Sequence, residues 1–267
     1  MLKFAANIGW MAQEVPIMER FQLVRDLGFT AVECPIDVYN HPAADLAEGY
    51  LSAGLDFLMF NSPPGSGKDE YGIAGLKGRE AEFQDTIGRA IDYAKALKAE
   101  YVHILAGHQP GDWRKSGFEK FIENVTWACG QLKEANVIAL IEPINTVARA
   151  GYLVQTTDEA QGVVDAVNKA GFDNIGIQFD FHNCQIMEGN LSRNYTEHLP
   201  SIAHIQIAGH PGRTPPGEGE INYSFVFAMI ERSNYNGWIG CEYAPHNKTE
   251  PGATKASLAW AKPFGLG

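Results

Sequence analysis

The sequence predicts a closed barrel of eight parallel β-strands alternating with eight helices, a (β/α)8 or TIM barrel of the α/β class. Three observations lead there. Short β-branched and aromatic runs recur along the chain, each followed by a longer stretch of helical period. The length of 267 residues is one that α/β barrels reach undivided. No G-x-G-x-x-G follows the first strand, which removes the usual dinucleotide-binding open sheet. No linker or low-complexity segment divides the chain, so residues 1–267 read as a single domain.

The expected strands are FAANIGW (4–10), AVECPI (31–36), FLMFN (57–61), YVHILAG (101–107), VIALIEPI (137–144), IGIQFDF (175–181), IAHIQIAG (202–209) and WIGCEY (238–243). Helices are expected near 16–27, 43–53, 79–98, 117–135, 157–170, 190–198, 223–233 and 255–262. Pro16 suits a first helical turn, Thr157-Asp158-Glu159 offers a cap with early acids, and Gly28 and Gly171 suit helix stops. Turn-rich loops follow the third, fourth and seventh strands: SPPGSGKDEYGIAGLKG, HQPGDWRKSG and HPGRTPPGEGEIN. In a barrel they rise from the C-terminal rim, where binding and catalysis are built.

A formal charge of −11 argues against a nucleic-acid or membrane-surface binder, which needs clustered Lys and Arg. The four cysteines lie far apart, with no C-x-x-C pair, so they read as free thiols of a reducing, cytoplasmic compartment. The opening residues lack a signal-peptide pattern, and no run is apolar enough to span a membrane.

Polar residues interrupt the later strands near their C-terminal ends: Glu142 in LIEPIN, Asp180 in QFDFH, Gln206 in HIQIAG and Glu242 in GCEYAP. Alternation also puts Gln178, Asp180 and His182 on one face. Parallel strands are covered on both sides, so a carboxylate there is costly unless it is paired or binds a cation. These strand segments hold no Lys or Arg, so a divalent metal is the expected partner, and all-oxygen ligands favour Mg²⁺ or Mn²⁺ over Zn²⁺. Arg79 and Arg213, in rim loops, are candidates to hold a substrate carboxylate. Trp10 and Phe60-Asn61 are candidate pocket walls, and Glu220 reads as a helix cap.

From FAANIGWM to GWIGCEY the chain resembles the hydroxypyruvate isomerases, including the 2-oxo-tetronate isomerases, among the xylose-isomerase-like barrels. The resemblance rests on FNSPPG, LKGRE, YVHILAG, EPIN, QIMEGNL, HIQIAG, GEINY and GWIGCEY in this order. It implies metal ligands at Glu142, Asp180, Gln206 and Glu242, and proton transfer by Glu142 and Glu242 through a metal-stabilised enediolate. It implies a small 2-oxo acid as substrate, hydroxypyruvate or 2-oxo-tetronate, and a dimer or tetramer. His103 matches a family histidine. Gln206 stands where sibling sugar epimerases carry His. The chain departs from the family at Asn183, where relatives place a histidine that falls here at His182, and at Pro215 and Ala244. These changes leave the metal site intact and bear on substrate identity. The alternatives are a ketose 3-epimerase and a non-catalytic sugar-acid binding protein. A DNA-repair nuclease would need a His-rich multi-zinc cluster and a basic face.

Overall fold

In the computed structural model, which describes residues 2–35, 37–109 and 111–267, one ring of parallel strands organises the chain. Ile36, the end of the second expected strand, and Pro110, in the rim loop after the fourth, lie outside the described residues. Among the described residues the strands are β1 (Lys3–Asn7), β2 (Ala31–Glu33), β3 (Asp56–Phe57), β4 (Met59–Asn61), β5 (Tyr101–His103), β6 (Ile138–Ile141), β7 (Ile175–Asp180), β8 (Ile202–Ile207) and β9 (Trp238–Cys241). The sheet order is β3-β2-β1-β9-β8-β7-β6-β5-β4, and every pairing is parallel.

β3 and β4 are two halves of one stave, separated by Leu58. Leu58 donates its N–H to Val32 O (2.9 Å) and accepts from Tyr101 N (3.0 Å), so hydrogen bonds on both sides close the ring. The eight expected staves are therefore present, with the third broken at one residue. The chain is a single-domain TIM barrel.

The surrounding helices are α1 (Ile17–Asp26), α2 (Ala43–Ser52), α3 (Glu80–Leu97), α4 (Arg114–Glu134), α5 (Thr157–Lys169), α6 (Phe181–Met187), α7 (Leu191–His198), α8 (Tyr223–Arg232) and α9 (Ala253–Ala256). Their apolar faces and the outward residues of the strands form one continuous core. Gly28 and Gly171 follow α1 and α5 at φ +95° and +96°, the left-handed stop that glycine adopts without a Cβ penalty. α5 is capped by Thr156, one residue before the expected cap, with Glu159 closing a capping box. The last expected helix resolves into α9 and a 3₁₀ segment, Ala259–Phe264. α6 is the larger departure. It starts directly after Asp180, so the sixth stave, β7, ends one residue early and runs into a helix with no intervening loop. No helix among the described residues is long and apolar enough to cross a membrane.

Two layers fill the inside of the ring. Ala5, Ala31, Leu58, Met59, Tyr101 and Leu140 form an apolar plug toward the N-terminal ends of the strands. Two residues further along the same staves the chain turns polar: Asn7, Glu33, Asn61, His103 and Glu142, all buried. The period of two along a strand carries both layers to the same interior.

Candidate active site

The polar layer is one hydrogen-bonded network. Glu33 sits at its base, fully buried. It accepts from Asn7 Nδ2 (2.7 Å) and Gln206 Nε2 (2.7 Å), and pairs with His204 Nε2 at 2.6 Å. Gly240 makes room for it, because a Cβ there would run into the Glu33 carboxylate. Gln206 lies beside Asp180 in the β7–β8 register, and its Oε1 accepts from Gln178 Nε2 (2.7 Å). The same Gln178 amide donates to Glu142 Oε2 (2.8 Å). Each of these partners is a strand residue whose mate lies tens to hundreds of residues away, so the barrel assembles them.

Above this base, Glu142, Asp180 and Glu242 place oxygens within 4.8 Å of one another, all buried. Asp180 performs two tasks. Its Oδ1 accepts from His182 N (2.8 Å) as the N-cap of α6, and its Oδ2 faces the other carboxylates' cation, Arg213 Nη2, at 3.0 Å. Arg213 Nη1 donates to Glu242 Oε2 (2.5 Å) and to the Glu242 backbone oxygen (3.0 Å). The strand segments do lack Lys and Arg, but the rim loop after β8 returns a guanidinium to the cluster. Arg213 itself stands at φ +52°, a left-handed conformation that costs a non-glycine residue of order 1–3 kcal/mol and is held by Ala244 N donating to its carbonyl (2.9 Å).

One arginine does not neutralise three carboxylates. Burial, then the charges of Glu242 and Asp180, push the Glu142 carboxyl well above its ordinary range. Burial likewise raises Glu242, to about 7, against the opposing pull of Arg213. Burial lowers His103 to about 3, so its ring is neutral. His103 Nδ1 lies 3.2 Å from Asn61 Oδ1 and 3.3 Å from Glu142 Oε2, both acceptors, which places the ring proton on Nδ1. The donor set fits a hard divalent cation: three clustered carboxylates with surplus negative charge, and an amide oxygen on the adjacent stave.

A cavity of about 450 Å³ opens onto Glu142, Asn183, Arg213 and Glu242, with Trp10 and Tyr71 in its walls. The Arg213 guanidinium packs over the Trp10 ring, 5.2 Å from its centroid. Phe60 is buried in the outer core, and Asn61 turns inward to His103. His182 does not continue the strand face. It lies on α6, its Nδ1 3.1 Å from the Gly209 carbonyl, and is not among the cavity's walls. Asn183 faces the cavity instead, donating to Glu142 Oε1 (2.9 Å) and accepting from Asn145 Nδ2 (2.6 Å). Arg79 is elsewhere, clamped between Glu70 and Glu82. Glu220 does not cap α8. Asn222 does, and Glu220 accepts from Gln185. Sequence reasoning did not find Glu33, His204, Asn145, Tyr71 or Arg149. Only Glu33 carried a signal, an acid inside an apolar strand.

A model of the xylose isomerase-like TIM barrel family matches residues 21–264. The chain is 38% identical to the 2-oxo-tetronate isomerase of Cupriavidus necator, with 99% of each chain covered. It is 36% identical to the hydroxypyruvate isomerase of Escherichia coli, covering 99% of this chain and 100% of that one. A solved structure titled AP endonuclease, family 2, from Brucella melitensis superposes with a TM-score of 0.91 at 38% identity, with 99% of each chain covered. A buried carboxylate cluster at the C-terminal rim and full-length likeness to named isomerases agree: the chain belongs to the xylose isomerase-like TIM barrels, among the hydroxypyruvate and 2-oxo-tetronate isomerases.

Proposed function

We propose that this protein isomerises a small 2-oxo acid, hydroxypyruvate or 2-oxo-tetronate, moving a proton between neighbouring carbons with Glu142 and Glu242. One observation carries the reading. Two buried glutamates flank one cavity, and in the metal-free site burial raises both carboxyls above the ordinary range, Glu242 to about 7. A group that must take a proton from carbon and return it works best when its pKa lies near the working pH. Magnesium or manganese, held by Glu142, Asp180, Gln206 and Glu242, would supply Lewis-acid polarisation of the substrate carbonyl.

The chain's own groups supply the rest. Gln178, Asn183 and neutral His103 fix the Glu142 carboxylate from three directions. Arg213 orients Glu242 and presents positive charge where an enediolate oxygen would develop. The four described cysteines are all buried free thiols, in keeping with a reducing, cytoplasmic setting.

The test is deuterium incorporation from solvent into hydroxypyruvate with added Mg²⁺ or Mn²⁺. The wild-type protein is expected to catalyse it, and Glu142→Gln to lose roughly 10²–10⁴-fold of the rate. No exchange into hydroxypyruvate or 2-oxo-tetronate would overturn the reading. Turnover of a free ketose in its place would move the protein to the 3-epimerases.

A further inference from the structure

Three arginines were in reach of a role in recognising an acid, and their surroundings separate them. Arg79 lies between Glu70 and Glu82. Arg213 lies between Asp180 and Glu242, so its charge is already offset by the cluster it serves. Arg149 is different. It lines the same cavity from the loop after β6, it is exposed, and among the described residues no carboxylate stands within 4.0 Å of it.

Arg149 is nevertheless held in place. Its guanidinium carbon lies 4.4 Å from the centroid of Tyr71, another wall of the cavity. Stacking through the face of a planar guanidinium leaves its in-plane N–H donors open, the geometry that suits a carboxylate. The turn beneath it is fixed from the catalytic side. Arg149 N donates to Asn145 O (3.0 Å), Ala148 N donates to Asn145 Oδ1 (2.7 Å), and Asn145 Nδ2 reaches Asn183, which holds Glu142. The guanidinium is thus tied to Glu142 through two asparagines. The cavity's other rim charge, Asp37, comes from the 3₁₀ turn Asp37–Asn40 after β2, on a distant part of the ring from β6.

We propose that Arg149, stacked on Tyr71, is the carboxylate anchor of this cavity and the residue that selects an acid over a neutral sugar. This rests on the isomerase reading for the reacting end of the substrate. The acid end meets Arg149 and the reacting carbons meet the two glutamates. A divalent ion and Arg213 together offset the three carboxylates of the cluster, so Arg149 is the cation left over for the substrate's own negative charge.

The test is calorimetric binding of D-glycerate, which carries the carboxylate without the reactive carbonyl, and of neutral dihydroxyacetone, with Mg²⁺ present. Wild type, Arg149→Gln and Arg149→Lys are compared, with thermal unfolding as the check on folding. Arg149→Gln is expected to weaken glycerate by roughly 10- to 100-fold, as loss of a charge-assisted bond does, and Arg149→Lys by less. Dihydroxyacetone is expected to bind all three alike. Equal glycerate affinity in wild type and Arg149→Gln overturns the proposal, as does a wild-type protein that does not prefer glycerate. The expected binding pattern in a protein that leaves both hydroxypyruvate and 2-oxo-tetronate unchanged would uphold the anchor and sink the isomerase reading.

Discussion

The two halves of the barrel interior come from the same strands and do opposite things. Ala5, Ala31, Met59, Tyr101 and Leu140 make the plug. Asn7, Glu33, Asn61, His103 and Glu142, each two residues later, make the floor and wall of the cavity. The plug is stabilised by removing apolar surface from water, which needs only volume and fit. The polar half is held by specific donors and acceptors, and its carboxylates sit in a place where burial opposes their charge. One half of the interior supports the fold, and the other keeps acids raised in pKa at its expense.

Substitutions on either side of that boundary sharpen the contrast. Glu33→Ala strips the acceptor from His204, Asn7 and Gln206 at once and is expected to cost roughly 3–5 kcal/mol of stability, at about 1–3 kcal/mol for each buried donor left unpaired. Because Gln206 then loses its orientation, divalent-ion affinity falls with it. Leu140→Ala, in the plug, is expected to cost about 2–5 kcal/mol and to leave metal affinity in the folded protein unchanged. Urea unfolding with manganese titration of both variants checks this. Equal effects on metal binding would erase the distinction between the halves.

A smaller effect follows from the raised Glu242 carboxyl. Its folded value of about 7 exceeds the ordinary 4.5, so the metal-free folded state keeps a proton that the unfolded chain has already released. That contribution to stability is fully present below about pH 4.5 and is lost as the pH rises through 7. Relative to Glu242→Gln, metal-free wild type is expected to lose roughly 3 kcal/mol across that window. Added Mn²⁺, which needs the ionised carboxylate, offsets the loss. A flat difference between the two proteins would show that Glu242 is not raised.

The staves and most helices were legible because parallel strands covered on both faces read as apolar runs between turn signals. The three acids and the amide at the stave ends were legible because they break those runs. The rest depended on partners far away in sequence. Glu33 and His204 are 171 residues apart, and nothing near either one announces the pair. His182 was expected on the strand face because alternation carries Gln178, Asp180 and His182 to one side. The helix begins there because Asp180 turns its own carboxylate onto the His182 amide. Nothing in the sequence singles out Arg149, because its place depends on Tyr71 and the cavity built around it.

Crystals grown without metal and then soaked in Mn²⁺, with anomalous data collected, test the shared-cation claim most directly. The account predicts one strong peak bonded to carboxylate oxygens of Glu142, Asp180 and Glu242 and to Oε1 of Gln206, with Arg213 displaced from at least one of its two acids. An undisturbed Arg213 bridge with no manganese at the cluster, or manganese bound at other residues, would contradict it.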